Sequence, residues 1–141
     1  LRAATASAEL VFPVHPRTRK QLKEFGLYDR LAASPGIRLL EPLGYVQFMS
    51  VVTHAALAIT DSGGIQEETT YLGIPCLTVR PNTERPITLS EGTNRLVQPA
   101  ALLENIHRAL AGDWPAGRRP ELWDGRTAER CVAALKRRAG A

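Results

Sequence analysis

Short apolar, β-prone runs alternate along the chain with segments whose apolar positions recur every three or four residues. Those two periodicities separate strands from amphipathic helices. The first run, residues 9–14 (Glu-Leu-Val-Phe-Pro-Val), predicts a strand with Pro13 marking its end. Residues 16–25 follow as a basic helix closed by Gly26, the residue type favoured just past a helix end. The turn signal Ser34-Pro35-Gly36 leads into a second strand, residues 37–40. Between about Tyr45 and Thr53, Val46, Met49 and Val52 stand three apart and predict a helix. Residues 55–60 are almost wholly apolar, as expected for a strand covered on both faces.

Asp61-Ser62-Gly63-Gly64 then hands over to a helix at residues 65–72, closed by Gly73, and residues 75–79 read as a fourth buried strand. Glu84-Arg85-Pro86 opens another helix, with proline in its first turn and Gly92 past its end. Residues 95–97 make a fifth, short strand. Residues 99–110 and 124–138 are amphipathic helices joined by a connection containing Gly, Pro and Trp. Strand–helix–strand alternation with connections this short predicts an α/β fold, a Rossmann-like parallel sheet flanked by helices on both faces. Ligands of such folds sit at the carboxyl ends of the strands, so the loops after strands are the place to look for chemistry.

Composition narrows the classes. The chain has 141 residues, 44% hydrophobic and 23% charged, the size and balance of one globular domain. Its longest apolar stretches, residues 10–13 and 55–59, are far below the roughly 18 residues that span a bilayer, so no membrane partner is expected. The chain opens on Leu1, and residues 1–9 hold one Arg and no sustained apolar run, so no signal peptide is expected there. Cys76 and Cys131 sit in apolar surroundings without CxxC spacing, which argues against zinc and disulfides and suits a reducing cytoplasm. Lys+Arg 18 against Asp+Glu 14 gives a net charge of +4. Basic clusters lie at Arg17, Arg19, Lys20 and Lys23, at Arg118 and Arg119, and at Lys136, Arg137 and Arg138. No aromatics interleave with them and no nucleic-acid motif is present, so an anionic small molecule fits better than nucleic acid.

The chemistry concentrates at Thr60-Asp61-Ser62-Gly63-Gly64-Ile65-Gln66-Glu67-Glu68. Glycines let a backbone come close to a ligand, and the free N–H groups and positive dipole end of a helix start suit a diphosphate. Ser62 adds a hydroxyl, and Glu68, one helical turn beyond Gly64, suits ribose hydroxyls. The plain alternative is that Asp61 or Ser62 caps the helix and the glycines make a tight turn. The run lacks a phosphate-loop lysine and does not match G-x-G-x-x-G.

Residues 61–68 (Asp-Ser-Gly-Gly-Ile-Gln-Glu-Glu), then Leu72-Gly-Ile-Pro-Cys76, Glu84-Arg-Pro86 and Glu91-Gly-Thr-Asn-Arg-Leu-Val97, resemble the C-terminal domain of the non-hydrolysing UDP-N-acetylglucosamine 2-epimerases. Val14-His15-Pro16 and Glu41-Pro-Leu-Gly-Tyr45, with Phe48 beyond, fit the same pattern, and the resemblance runs from about Val11 to Leu135. It implies most of the C-terminal domain of a two-domain GT-B enzyme, which binds its nucleotide mainly on that domain. On this resemblance residues 1–141 form a single nucleotide-sugar-binding unit. The N-terminal domain, which supplies the acidic acid/base residues, has no counterpart in it.

Carried over residue by residue, the resemblance implies that Ser62, Gly63 and Gly64 hold the diphosphate of UDP and Glu68 the ribose. The backbone around Phe48 would meet uracil, and Arg85 would lie near the phosphates as a bidentate donor. For Arg85 the alternative is an ion pair with a neighbouring helix carboxylate; for Phe48 it is a place in the core. His15, after the first strand, falls where the family has its substrate region and a second, regulatory UDP-GlcNAc; the alternative is a strand-end histidine bonded to nearby backbone. His54 and His107 read as structural. The family's reaction interconverts UDP-GlcNAc and UDP-ManNAc by elimination of UDP and its re-addition, without metal or cofactor. It serves cell-envelope precursors in the cytoplasm, as a homodimer. Two other readings are a GT-B glycosyltransferase domain and a non-catalytic nucleotide-binding module.

Overall fold

The computed structural model describes Thr5 and residues 8–140. Most of the N-terminal stretch read for a signal peptide, residues 1–4, 6 and 7, lies outside the described residues.

Strand β1 (Leu10–Pro13) leads through helices α1 (Pro16–Glu24) and α2 (Tyr28–Ala32) to β2 (Ile37–Leu40). Helix α3 (Tyr45–Val52) precedes β3 (Ala58–Thr60), α4 (Gly63–Leu72) and β4 (Cys76–Thr78). Then come α5 (Ile87–Ser90), β5 (Asn94–Leu96), a 3-10 turn (Pro99–Ala101), α6 (Leu102–Leu110) and α7 (Thr127–Ala139). Every pairing is parallel, as the alternating pattern predicts. The strands form two ladders rather than the one sheet expected: β1–β2, and a three-stranded β3–β4–β5. In the second, Ala58, Cys76 and Asn94 lie in register.

Order in that ladder explains the burial. Central β4 is buried throughout, whereas β3, expected to be covered on both faces, is an edge strand and only half-buried. Its apolar run also starts pairing at Ala58, three residues later than its hydropathy suggests. Side chains alternate across β4. Leu77 faces Val97 and Ile106 in an apolar cluster with Leu57, Ile59, Val79, Leu102, Leu110 and Trp114. Cys76 faces Thr69 of α4 instead, Thr78 bonds Asn94 on that face, and burial pushes the Cys76 thiol up. The α4 side of the ladder is therefore polar: Gln66, Thr69, Thr78 and Thr88 are fully buried, with Thr93 and Asn94 nearly so. Cys131, expected in apolar surroundings, is exposed on α7.

Three local differences have simple causes. Helix α2 is not legible because five residues carry no periodicity; α1 ends at Glu24, Gly26 (φ 63°) turns the chain and it re-enters a helix two residues later. Both Arg19 and Lys23 of α1 lie over the Tyr28 ring. Pro86 is the N-cap of α5 rather than a first-turn residue, so Glu84 and Arg85 stay in the preceding loop. Gly92 and Gly117 meet backbone to backbone: a β-carbon on Gly117 would fall 2.8 Å from the Gly92 carbonyl carbon. Arg118 N–H donates to Glu91 O at 2.7 Å, which lays the connection before α7 against α5. Among the described residues no helix is long and apolar enough to cross a membrane.

Candidate functional site

The turn after β3 places its groups as a strand-to-helix handover should. Ser62 takes the N-cap position of α4 (φ −86°, ψ 136°), yet its hydroxyl makes no capping bond. Its N–H donates to Thr60 Oγ1 at 2.9 Å, so the turn is tied down by threonine and the serine side chain is left for other work. No acidic side chain occupies the first turn of α4. The first-turn N–H groups and the positive end of the helix dipole therefore carry no intrahelical carboxylate.

Both glycines lie inside α4 and neither has positive φ, so a tight turn does not explain them. A β-carbon on Gly63 would fall 2.6 Å from Glu84 Oε1, so that glycine makes room for the loop before α5. A β-carbon on Gly64 would meet nothing within 4 Å. Among the described residues no protein atom requires Gly64 to lack a side chain. A ligand approaching the helix start would.

Charged groups gather on the flank of the same helix. Arg85 Nε lies 3.0 Å from Glu67 Oε2, close enough to pair but without the alignment of a hydrogen bond. The alternative of an ion pair with a helix carboxylate is thus realised, on the helix that carries the glycines. Arg80 Nη1 pairs with Glu84 at 3.1 Å. The Glu84 carboxyl is held below its usual range by a hydrogen bond from its own backbone and by Arg80 and Arg85. The Tyr45 hydroxyl faces the Glu68 carboxylate, which raises the phenol above its ordinary value. That contact ties the start of α3 to α4. Phe48 lies half-buried on α3, one turn beyond Tyr45; its N–H is spent on Gly44 O at 2.9 Å, so a base would have to meet other atoms there.

His15 follows β1 and stands at the start of α1. It caps α1, its Nδ1 accepting from Arg17 N–H at 3.3 Å, which is the strand-end arrangement weighed as the alternative. With Nδ1 an acceptor, the neutral ring carries its proton on Nε2. Residues 62–64, Glu68 and Arg85 are brought together on and beside α4; Phe48 is linked to α4 through Tyr45, and His15 caps α1 at the end of β1. His54 bonds within its own turn, Nδ1 to Ser50 O at 2.8 Å. In the basic clusters Arg19 pairs with Glu41, Lys20 with Glu24 and Arg118 with Glu91.

Sequence reasoning missed two sets of residues. Buried Gln66 and Asn94, with Thr83 between the glycine turn and Arg85, form a polar network under the site. An open depression of about 260 Å³ beside Glu67 and Glu68 is lined by Tyr71 and Trp123. Nothing in local spacing announced that Trp123 returns to α4.

Residues 1–136 match the family described as UDP-N-acetylglucosamine 2-epimerase. The chain belongs to this family. A UDP-N-acetylglucosamine 2-epimerase of Methanocaldococcus jannaschii is 50% identical over 88 residues, 62% of this chain and 24% of the relative. One from Escherichia coli K12 is 35% identical over 136 residues, 91% of this chain and 35% of the relative. The structure of the M. jannaschii epimerase in complex with UDP-GlcNAc and UDP superposes with a TM-score of 0.76 at 39% identity, over 91% of this chain and 35% of that one. The chain thus spans about a quarter to a third of the epimerases it matches. Epimerase relationship, rather than glycosyltransferase, is what the matches support.

Proposed function

We propose that residues 1–141 are the nucleotide-holding part of a UDP-N-acetylglucosamine 2-epimerase, which interconverts UDP-GlcNAc and UDP-ManNAc by losing UDP and adding it back. The observation that carries this is the start of α4: a serine hydroxyl free of capping, no acidic residue in the first turn and, among the described residues, no protein atom within 4 Å of where a Gly64 β-carbon would sit. Ser62, Gly63 and Gly64 hold the diphosphate, Arg85 adds its guanidinium from the flank, and Glu68 exchanges the Tyr45 hydroxyl for ribose hydroxyls. Elimination leaves negative charge on the departing UDP, and preorganised backbone donors lower the barrier by meeting it there. Phe48 lies toward the base and His15 toward the substrate or a second nucleotide. The whole enzyme works as a cytoplasmic homodimer.

Moving the C2 proton off and back needs acid/base groups placed across the cleft. Glu67 and Glu68 cannot supply both, because adjacent helical positions point about 100° apart. Each also has a partner already, Arg85 and Tyr45. The chain therefore carries the nucleotide chemistry, and the proton chemistry comes from a further domain. Incubated with UDP-GlcNAc in deuterated water, the 141-residue chain should leave C2 unlabelled, and the same chain joined to a related N-terminal half should label it. Exchange by the chain alone would place the catalytic group here. No exchange in the joined protein, with UDP still bound, would turn the reading to a binding module.

A further inference from the structure

We infer that Thr83 and Gln66 are positioning residues that lock the Arg85 backbone to the glycine turn; this rests on the diphosphate reading above. Gln66 Nε2 donates to Ser62 O at 3.2 Å, fixing the N-cap carbonyl of α4. Gln66 Oε1 accepts from Thr83 Oγ1 at 2.6 Å and from Asn94 Nδ2 at 3.0 Å. Thr83 Oγ1, its proton thus committed, accepts from Arg85 N–H at 3.0 Å. On the other side Thr88 Oγ1 donates to Arg85 O at 2.7 Å and accepts from Asn94 Nδ2 at 3.1 Å. Thr78 Oγ1 donates to Asn94 Oδ1 at 2.7 Å and closes the path on β4.

Both backbone groups of Arg85 are therefore gripped by hydroxyls that trace back to two buried amides, and one of those amides holds Ser62. Each hydroxyl and amide hydrogen named has one assignment, so neither amide can flip without breaking a bond. An apolar cluster would fill this space at no cost in unsatisfied groups, as the α6 side of β4 does. A polar network fixes distances where an apolar one fixes only volume. What it fixes here is the offset between the helix start and Arg85. The Arg85 Nε stands 3.0 Å from Glu67 without an aligned hydrogen bond, so the aim of the guanidinium rests on its backbone.

Gln66→Met would strand Ser62 O, Thr83 and Asn94 together and risks the fold. Thr83 is half-buried, and Thr83→Val removes one hydroxyl from its rim. Titrating the 141-residue chain calorimetrically with UDP and with uridine, Thr83→Val should weaken UDP about five- to tenfold and leave uridine unchanged, while Thr83→Ser stays within about twofold of the parent. Backbone amide exchange at Arg85 should speed up in Thr83→Val and not in Thr83→Ser. UDP affinity unchanged in a folded Thr83→Val, with the parent still preferring UDP to uridine, would overturn the positioning role and leave the site reading intact. A parent that binds uridine as well as UDP would overturn the site reading, and the inference with it.

Discussion

A single methyl group at Gly64 separates the two explanations of the glycine pair. In Gly64→Ala the new carbon enters space with no protein atom within 4 Å. Gly64 is a helical residue without positive φ, so alanine suits its backbone. Replacing a helical glycine by alanine stabilises by up to about 1 kcal/mol, and roughly half of that near a helix start. For a chain of this size half a kcal/mol raises Tm by about 2 °C. Stability alone therefore favours alanine.

Binding should move the other way. If a phosphate oxygen must approach the first-turn N–H groups, the methyl lies in its path. Crowding of that kind costs about 1–3 kcal/mol, roughly five- to hundredfold in affinity. Calorimetric titration with UDP, alongside thermal melting of the same samples, reads both quantities. Gly63→Ala is the control, since its β-carbon would displace Glu84 and disturb the Arg80 pair whether or not a ligand binds. A Gly64→Ala chain that melts higher and binds UDP as tightly as its parent would refute the assignment: nothing would then come close to Gly64.

Two further expectations are simpler. Glu68→Gln should weaken UDP about fivefold, a charged acceptor being replaced by a neutral one. The Tyr45 phenol, raised by the Glu68 carboxylate, should titrate lower in that variant; absorbance of the phenolate reads this, and an unmoved phenol would break the α3–α4 link. Asp124 is pulled from an ordinary 3.8 to about 2 by the Arg130 guanidinium and the Arg126 N–H. A depressed carboxyl stabilises fully above its unfolded value and loses that contribution as pH falls through its folded one. The Tm difference between parent and Asp124→Asn should hold above about pH 4 and be nearly gone at pH 2; a difference that persists there would contradict the pairing.

The parts of this fold legible in the sequence are those whose signals are local. Residues 37–40 read as a strand and are β2, and Gly73 closes α4 in the left-handed conformation its position implied. The handover at residues 61–64 was legible because a buried strand, two glycines and a helix stripe follow one another. Position within a sheet is not local. Residues 55–60 carry the hydropathy of a central strand, yet pairing puts β3 at the edge and gives the centre to β4. The polar network was hidden for the same reason: Gln66 and Asn94 are neighbours only because β4 and β5 pair in register beneath α4. A glutamine inside a helix reads as solvated until the sheet that buries it is known.

The pairing of charges around α4 bears on how a diphosphate would be held. The chain's net charge of +4 does not reach this turn as free cations, since Arg85 faces Glu67 and Arg80 faces Glu84. Attraction at the helix start then comes from backbone N–H groups and the dipole; α4 has no acidic residue in its own first turn, and the Glu84 carboxylate beside Gly63 is paired with Arg80. For Arg85 to turn to a phosphate it must leave Glu67, and both side chains are about two-fifths exposed. Exposed pairs of that kind are worth about 0–1 kcal/mol, so the exchange is nearly neutral and Glu67 is left facing the open depression beside Tyr71 and Trp123. What decides whether the guanidinium adds to binding is its aim rather than its charge. Its aim is set by the hydroxyls that hold its backbone, and through Gln66 by the carbonyl of Ser62. That is why a buried amide beneath the helix start belongs to the same device as the glycines.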